Sequence, residues 1–296
     1  MAIGRPVICA IDESEVSRHA VRAADWLARD LELGLVLAHV FDPLSIPARP
    51  RAEMLRLQMT DDDLEHAGRG AAGLLLEDSA RAVTGVEPAT ELVEGQPAPE
   101  LARLAAERRA ALLVTGTAAR SGLDRIRLGS VSSALAAAAP CPLVVVTRAA
   151  ALQEPGPIVT GYDGSAHSLR AARHAAALSA RLGRELVLLH VTGEGGVRPS
   201  KELAHDLYAA GMSGLGDDPG RSSLALTVRV AVEDGDPVQA LVGVARELTA
   251  ALLVVGTRGR STLRSAFLGS VSAGVVRAAG RPVAVVPASA GETPGG

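Results

Sequence analysis

The sequence predicts an α/β protein made of two tandem copies of one domain, and three observations support this fold class. Short apolar runs alternate with stretches whose apolar residues recur at helical intervals, a pattern typical of a parallel sheet with helices on both faces. The same landmark residues occur twice, in the same order, along the 296 residues. In each copy a glycine-containing loop follows a buried apolar run and precedes a helix-forming stretch.

The internal repeat sets the boundaries of the two copies. Asp163 follows Asp12 by 151 positions, whereas Gly256 follows Gly116 by 140 positions, so the second copy is 11 residues shorter. The difference falls after the second strand, in a segment rich in Pro, Gly or charge, where loops absorb changes of length. At roughly 150 residues, each copy has the size of a domain. We expect one domain at 1–150, a second at 151–290 and a flexible tail at 291–296.

Both copies contain the same elements in the same order. A strand, a helix and a strand are followed by a variable segment with a helix; then come a strand, a helix, a strand, the glycine loop, a helix and a last strand. Such an alternation implies right-handed crossovers between parallel strands. The apolar runs that read as strands include 6–11, 33–40 and 143–147 in the first copy and 157–162, 185–191, 251–255 and 283–286 in the second.

The composition argues against several classes of function. A net charge of −3 gives no basic surface for nucleic acid, and 2% aromatic residues give no stacking platform for single strands. The apolar runs are too short to span a bilayer, and the N-terminal segment lacks the apolar run of a signal peptide. We therefore expect a cytoplasmic protein without nucleic-acid or membrane partners.

A few rare side chains extend these exclusions. Lys201 is the only lysine and does not follow a glycine-rich loop, which disfavours a Walker-type phosphate loop, a kinase and a Schiff-base enzyme. Cys9 and Cys141 are far apart and lie in apolar stretches, which predicts buried, reduced thiols. No metal-ligand spacing connects a cysteine or second histidine with His39 or His190, so no metal site is expected.

The glycine loop of the second copy is the first candidate site. Gly256–Gly259 is followed nine residues later by Gly269–Ser272, between an apolar strand and a helix for which Ser270 is the expected N-cap. Glycines let the backbone approach a ligand, and the helix N-terminus adds partial positive charge, which together favour a phosphate. A glycine-rich connection without a ligand is the alternative, and the loop alone does not decide between the two.

Two further pairs of residues lie at strand ends. Asp12 and Asp163 close the first strand of each copy, and His39 and His190 stand near the end of the second strand. Ligands of open α/β sheets bind at the carboxyl ends of strands, where the strand order reverses. If the first and fourth strands are neighbours, an aspartate for ribose or amino groups and a phosphate cradle flank one cleft, which suits a nucleotide. Alternatively, the aspartates cap the following helices, and the histidines are neutral groups hydrogen-bonded in the sheet rather than catalytic residues.

The pattern Gly-x2-Gly-x9-Gly-Ser after the fourth strand, with Asp-Gly-Ser after the first, resembles the universal stress protein family in its tandem form. The resemblance covers essentially the whole chain. It implies a five-stranded Rossmann-like domain in each copy and ATP binding where the loop is complete. In the second copy the implied contacts are Asp163 and Val191 at the ribose and adenine end, and Gly256, Gly259, Gly269, Ser270, Val271 and Ser272 at the phosphates. In the first copy the matching positions are Asp12, Val40, Gly116, Gly129, Ser130, Val131 and Ser132.

The first copy departs from this pattern at two positions. Ala119 stands where the loop should have its second glycine, and Glu13 stands where the second copy has Gly164. A Cβ at the loop position crowds a phosphate and costs about 1–2 kcal/mol if that position needs a positive φ. Glu13 adds negative charge near an anion. We therefore expect the second site to bind ATP more tightly than the first.

The last strands offer surfaces for assembly. They follow Pro142 and Pro282 and are expected at sheet edges, which invite pairing with another strand. The resemblance implies that they pair between domains or between chains. Intramolecular pairing of the two copies, a homodimer, or both remain open at this point.

Together these features predict an ATP-binding regulatory protein of the stress response that signals through its conformation or oligomeric state. No general base, water-positioning residue or carboxylate pair accompanies the loop, so at most weak ATPase activity is expected, with Mg²⁺ held beside the phosphates mostly through water. A slow nucleotide hydrolase or nucleotidyl-transfer enzyme that uses Asp163 is one alternative. A ligand-free scaffold that dimerises is another.

Overall fold

Ten strands form one sheet in the computed structural model, which describes residues 5–43, 60–117, 129–152, 155–192, 227–257 and 268–288 and the single positions 205 and 209. The first copy contains β1 (Val7–Ala10), α1 (Glu15–Asp30), β2 (Leu35–Phe41), α2 (Asp61–Arg81), β3 (Pro88–Glu94), α3 (Pro97–Glu107), β4 (Leu112–Thr117), α4 (Ser130–Ala138) and β5 (Leu143–Thr147). The second contains β6 (Ile158–Gly161), α5 (Ala166–Leu182), β7 (Leu186–Thr192), β8 (Val228–Asp234), α6 (Pro237–Glu247), β9 (Leu252–Gly256), α7 (Ser270–Ala278) and β10 (Val283–Val286). The α/β fold with alternating elements is confirmed.

The order of the strands creates a possible binding cleft in each copy. It runs β3-β2-β1-β4-β5-β10-β9-β6-β7-β8. Neighbouring strands within a copy are parallel, as predicted. Val7 of β1 pairs with Leu112 of β4, and Ile158 of β6 pairs with Leu252 of β9. The first and fourth strands of each copy are thus neighbours, and the strand order reverses between them, which is where open α/β sheets bind ligands.

The two copies join through their last strands. β5 and β10 run antiparallel, with Val145 opposite Val283. Each of these strands is the edge of its own five-stranded unit, as expected, and the intramolecular pair covers both edges. Because the strands of the two copies run in opposite directions at the junction, the carboxyl ends of one copy's strands lie beside the amino ends of the other's. The two candidate sites therefore lie at opposite ends of the strands. Pairing between two chains stays a prediction.

Helices cover both faces of the sheet. On one face α1, α2 and α5 pack against alternate strand residues, and Trp26 and Leu27 are buried there. On the other face α3, α4, α6 and α7 cover the remaining strand residues, including Ile8 and Leu253. A strand buried on both faces needs apolar side chains at successive positions, which explains the continuous apolar runs of the sequence. None of the helices in the described ranges is long and apolar enough to cross a membrane.

Candidate functional site

A cavity of about 260 Å³ opens at the carboxyl ends of β6 and β9 in the second copy. Its apolar wall is formed by Leu189, Val191, Pro237, Leu241, Val255 and Val271. Asp163, Ser168 and Ser272 supply polar groups, and Tyr162 lies beside them. Apolar walls with a few placed polar groups are typical of sites for small molecules.

The structure gathers most of the residues predicted for the second site around this cavity. Those that line it directly are Asp163, Val191, Gly256, Val271 and Ser272. Gly269 is the N-cap of α7 and Ser270 is its first residue, immediately before Val271. Gly259 lies outside the described residues.

The turn from β6 to α5 carries Asp163 into the cavity. Ser165 is the N-cap of α5, and its side chain accepts from the amide of Ser168, so Asp163 does not cap this helix. Instead, Asp163 Oδ1 accepts from the Ser165 amide at 2.9 Å. Gly164 adopts a φ of 83°, a conformation that residues with a Cβ rarely adopt. The capping interpretation of Asp163 is therefore wrong.

The first glycine of each loop is explained by packing. A Cβ on Gly256 would lie 2.8 Å from the carbonyl oxygen of His167. A Cβ on Gly116 would lie 2.9 Å from Val16 Cγ1 and 3.0 Å from the Val16 carbonyl oxygen. Both contacts are too short for a real side chain. These glycines let α1 and α5 approach the ends of β4 and β9, so the fold needs them whether or not a ligand binds.

The glycine that begins each following helix has a different explanation. Gly129 and Gly269 have φ values of −54° and −60° with ψ at 157°, which any residue can adopt. Of the described atoms, a Cβ on Gly129 would meet only Thr117 Oγ1, at 3.8 Å. The caps of α1, α2, α5 and α6 accept an amide hydrogen through their side chains, whereas α3, α4 and α7 have no side-chain cap. Among the described residues no side chain caps the first turn of α7, and its amides suit an external anion.

Two predicted roles for serines of α7 change in the structure. Ser270 was the expected N-cap, but the helix begins one residue earlier than that expectation, at Ser270, and Gly269 is its N-cap. The Ser272 hydroxyl donates to the Gly256 carbonyl at 2.6 Å. A hydroxyl has a single hydrogen, so in this geometry it cannot also donate to a phosphate. Ser132 makes the same bond to Gly116 in the first copy at 3.2 Å, so this serine ties the helix to the strand end.

The first copy places its predicted residues at the equivalent strand ends. Asp12 follows β1, Val40 lies near the end of β2, and Gly116 lies near the end of β4. The stretch Gly129–Ser132, which includes Ser130 and Val131, begins α4. Ala119 lies outside the described residues.

Asp12 Oδ1 accepts from both the amide and the hydroxyl of Ser14. Two replacements distinguish this first site from the second. Glu13 does not share the positive φ of its counterpart Gly164. Ala10 replaces Gly161, where a Cβ would lie 3.1 Å from Leu241 Cδ1 in the second copy. The first site therefore carries an additional Cβ and an additional negative charge at the aspartate end.

The two histidines are bound in the sheet, as the sequence predicted. His39 Nδ1 lies 2.9 Å from the Ile11 carbonyl oxygen, and His190 Nδ1 lies 2.9 Å from the Tyr162 carbonyl oxygen. Neither histidine is among the described residues that line the cavity. The geometry gives no support to a catalytic role for them.

The cysteines are buried and form no disulfide, which confirms the prediction for both. Burial raises the pKa of the Cys141 thiol to about 12. Burial, followed by the nearby Asp12 carboxylate, also raises the pKa of Cys9. Both thiols are therefore poor nucleophiles near neutral pH. In the described part of the chain, no three His, Cys, Asp or Glu side chains group closely enough to hold a metal ion.

Sequence reasoning missed part of the cavity wall. Pro237 and Leu241 of α6 line the cavity, as does Gly161 at the end of β6. The repeated Gly-x-Pro before this helix was recognisable as a landmark of both copies. Its position at the carboxyl end of β8 was the signal that could have assigned it to the site.

Comparison with known proteins agrees with this architecture. A sequence profile described as the universal stress protein family matches residues 4–147 and again residues 156–287. A universal stress protein of Mycolicibacterium smegmatis is 31% identical over 295 residues, which span 95% of this chain and 96% of that protein. The universal stress protein Rv2623 of Mycobacterium tuberculosis is 30% identical over 301 residues, spanning 94% of this chain and 95% of that protein.

A solved structure shares the fold over nearly the whole chain. The crystal structure of a universal stress protein from Archaeoglobus fulgidus matches with a TM-score of 0.70 at 19% identity, covering 96% of this chain and 98% of that one. The two matches to the family profile fall on the two copies of the internal repeat. The chain therefore belongs to the universal stress protein family and carries two domains of this family in tandem.

Proposed function

We propose that the second copy binds an adenine nucleotide, ATP in the first place, in the cavity at the ends of β6 and β9. The observation that carries this proposal is the juxtaposition of an apolar wall, a carboxylate and an uncapped helix N-terminus around one cavity. No single one of these features selects a nucleotide. Their combination matches a ligand with a flat apolar base, a hydroxylated sugar and an anionic end.

Each part of the nucleotide has a matching group in the cavity. The base would lie against Val191 and Leu241, both of which line the apolar wall. Asp163 would accept hydrogen bonds from ribose hydroxyls. The phosphates would meet the first-turn amides of α7 from Ser270 onward, since the N-cap Gly269 has no capping side chain. A cavity of about 260 Å³ suits the base and the sugar, and the phosphates extend past it toward the glycine loop.

We further propose that nucleotide occupancy regulates the protein rather than supplying a substrate for fast chemistry. Among the described residues that line the cavity, the ionisable side chains are those of Tyr162 and Asp163. Asp163 is placed at the sugar end and already accepts from the Ser165 amide. It is therefore poorly placed to activate water at a terminal phosphate, and we expect hydrolysis to be slow. The signal would be a change in conformation or oligomeric state that depends on the bound nucleotide, in a protein of the cytoplasm.

The second site should bind ATP more tightly than the first. The additional Cβ of Ala10, at the position of Gly161, and the charge of Glu13 both disfavour the same ligand in the first copy. The amides at the start of α4 are uncapped as in α7. Weak binding at the first site is therefore the expected behaviour, rather than none.

The test is to place a capping carboxylate at the start of α7 with Gly269→Asp. An aspartate at the N-cap suits the observed φ and ψ, accepts the first-turn amides itself and stabilises the helix by about a few tenths of a kcal/mol. It also repels phosphate. We expect calorimetry with ATP to show a loss of about 100-fold or more in affinity at the second site, because several charge-assisted hydrogen bonds disappear together.

The matched control is Gly129→Asp in the first copy. It should remove the weaker binding step and leave the tighter one intact. Melting temperatures that do not fall in either variant separate lost binding from lost folding. Two observations would contradict the proposal: no nucleotide bound by the wild-type protein, either in calorimetry or in mass spectrometry of the purified chain, or unchanged ATP affinity in Gly269→Asp. Turnover at enzyme-like rates that Asp163→Asn abolishes would instead favour a nucleotide hydrolase.

A further inference from the structure

We propose that His190 is a positioning residue which, together with Ser168, holds the peptide plane between Tyr162 and Asp163 and so directs the Asp163 carboxylate into the cavity. This inference rests on the proposed function, because it concerns how the acceptor for the nucleotide's hydroxyls is held. It assigns a role to a buried histidine that lies outside the cavity wall.

Both polar groups of this one peptide plane are bound by side chains. His190 Nδ1 lies 2.9 Å from the Tyr162 carbonyl oxygen, and the Asp163 amide donates to Ser168 Oγ at 3.3 Å. A carbonyl oxygen can only accept, so Nδ1 carries the hydrogen. One residue earlier the sheet still supplies the partner, since the Tyr162 amide donates to the Leu189 carbonyl at 2.9 Å. Beyond the end of the strand, side chains therefore replace backbone groups as the hydrogen-bond partners of the peptide groups.

The surroundings of His190 point to this bond as the reason for an imidazole. The side chain is 1% exposed, and its Nε2 meets no hydrogen-bond partner among the described residues. Successive strand residues point to opposite faces, so Val191 faces the cavity and His190 packs on the other side. Burying a polar ring costs free energy unless it makes a hydrogen bond. An apolar side chain would pack at this position without that cost, but it could not bind the Tyr162 carbonyl.

The first copy contains the same arrangement. His39 Nδ1 lies 2.9 Å from the Ile11 carbonyl oxygen, and the Asp12 amide donates to Ser17 Oγ at 3.0 Å. The two turns differ at the residue after the aspartate, yet both contain these two hydrogen bonds. The histidine and the serine therefore occur with the aspartate and do not depend on the residue that follows it.

A fixed peptide plane has a direct consequence for binding. The Asp163 backbone is held at its amide by Ser168, and its carboxylate is held at Oδ1 by the Ser165 amide. The carboxylate then faces the ligand in a single orientation. An acceptor ordered before binding loses less conformational freedom when the hydroxyl arrives.

The experiment compares ATP with 2′,3′-dideoxy-ATP, which lacks the hydroxyls that Asp163 would bind. Calorimetry is done on the wild type, His190→Leu and His190→Asn, with His39→Leu as the matched change in the first copy. An asparagine amide reaches about as far as Nδ1 and can donate to the same carbonyl. We expect the wild type to prefer ATP by about tenfold or more at the second site.

The ratio of the two affinities is the decisive readout. In His190→Leu the affinity for ATP should fall about tenfold while the affinity for dideoxy-ATP stays unchanged, so the ratio approaches one. His190→Asn should keep most of the preference, and His39→Leu should keep the second site as it is. A preserved ratio in His190→Leu, or an equal loss for both nucleotides, overturns the inference, since a merely structural role weakens both ligands alike.

A measurement without ligand separates this inference from the proposed function. Hydrogen exchange of the Asp163 amide should be about tenfold faster or more in His190→Leu than in the wild type, because one end of the peptide plane is released. His39→Leu should accelerate exchange at Asp12 instead. Unchanged exchange at Asp163 overturns the inference even if ATP binds. Faster exchange in a protein that binds neither nucleotide overturns the proposed function while the positioning of Asp163 stands.

Discussion

The two copies keep different sets of residues in common, and the division follows what the fold needs. Both retain the glycine at the end of the fourth strand, where Gly116 and Gly256 admit a helix backbone. Both retain the serine that ties the following helix to this strand end, through Ser132 and Ser272. These contacts are internal to the fold, so a copy that lost them would lose stability whether or not it binds a ligand.

The differences between the copies lie around the cavity. Gly161 and Gly164 of the second copy are replaced by Ala10 and Glu13 in the first. Neither replacement disturbs the hydrogen bond from the aspartate amide to the serine five residues later, which is present in both copies. The comparison teaches that a glycine shared by both copies is not by itself evidence of a ligand. Gly161, which lines the cavity and is an alanine in the first copy, is the better indication.

The largest expected effect tests whether the first glycine of each loop belongs to the fold. Gly256→Ala and Gly116→Ala should each destabilise the protein by about 2 kcal/mol, because their Cβ atoms meet backbone oxygens of α5 and α1. Urea unfolding followed by circular dichroism measures both, and fluorescence of the buried Trp26 reports on the first copy.

Gly129→Ala is the matched control for these substitutions. Among the described residues its Cβ has only Thr117 Oγ1 nearby, at 3.8 Å, so stability should fall by about 1 kcal/mol at most, the cost of alanine at an N-cap. Unaltered stability of Gly256→Ala together with lost ATP binding would contradict the assignment to packing. It would show that this glycine serves the ligand.

These glycines also show how far sequence reasoning can reach. The strand at 251–255 and the glycine after it were predictable, because apolar runs and glycine are local signals. The contact between Gly256 and the His167 carbonyl was not, since it depends on how closely α5 approaches the sheet. The hydrogen bond from the Ser272 hydroxyl to the Gly256 carbonyl was not predictable either, because Gly256 lies 16 residues away along the chain.

The pairing of the copies and the shape of the cavity were likewise decided by tertiary structure. The sequence placed the last strands at sheet edges but left three modes of pairing open, because an edge can accept any strand of suitable register. Leu241 was missed because its helix reaches the cavity only when packed against β6. The aspartates, by contrast, follow the first strand directly and were placed correctly at the strand ends.

A second, smaller effect uses the cysteines, which both lie in the first copy. Their counterparts in the second copy are Thr160 and Arg281. Burial raises the pKa of the Cys141 thiol to about 12, whereas an unfolded cysteine has a pKa of about 8.5. Between these values the unfolded chain releases the proton and the folded chain keeps it. Stability should therefore fall as pH rises above about 8.5, with a slope approaching 1.4 kcal/mol per pH unit for each buried thiol.

This pH dependence is measured by urea unfolding between pH 7 and pH 10. Cys141→Ala should reduce the slope above pH 8.5 and leave the slope below it unchanged. Reaction of the thiols with a chromogenic reagent should follow global unfolding, because Cys9 and Cys141 are both buried. Fast labelling of the native protein, or an unaltered slope in Cys141→Ala, would show that the thiol is accessible in the folded state.

The smallest expected effect concerns the turn that follows the aspartate, and it compares the copies most directly. Glu13→Gly gives the first copy the residue that Gly164 provides in the second. Removing one negative charge near the phosphates should raise ATP affinity at the first site by about threefold to tenfold. The added backbone freedom should cost about 0.4–1 kcal/mol of stability. Calorimetry in a Gly269→Asp background, where the second site is silent, isolates this gain.

The reverse substitution, Gly164→Glu, completes the comparison. It places a side chain at a φ of 83°, which should cost about 1–2 kcal/mol of stability, and it brings a carboxylate toward the phosphates. ATP affinity at the second site should fall, while the first site stays as it is. Suppose that Glu13→Gly leaves ATP affinity at the first site unchanged although Gly164→Glu lowers it at the second. The turn after the aspartate is then necessary for ATP binding, but Glu13 is not what weakens binding at the first site. The weakness of that copy would then lie in its glycine loop, at Ala119.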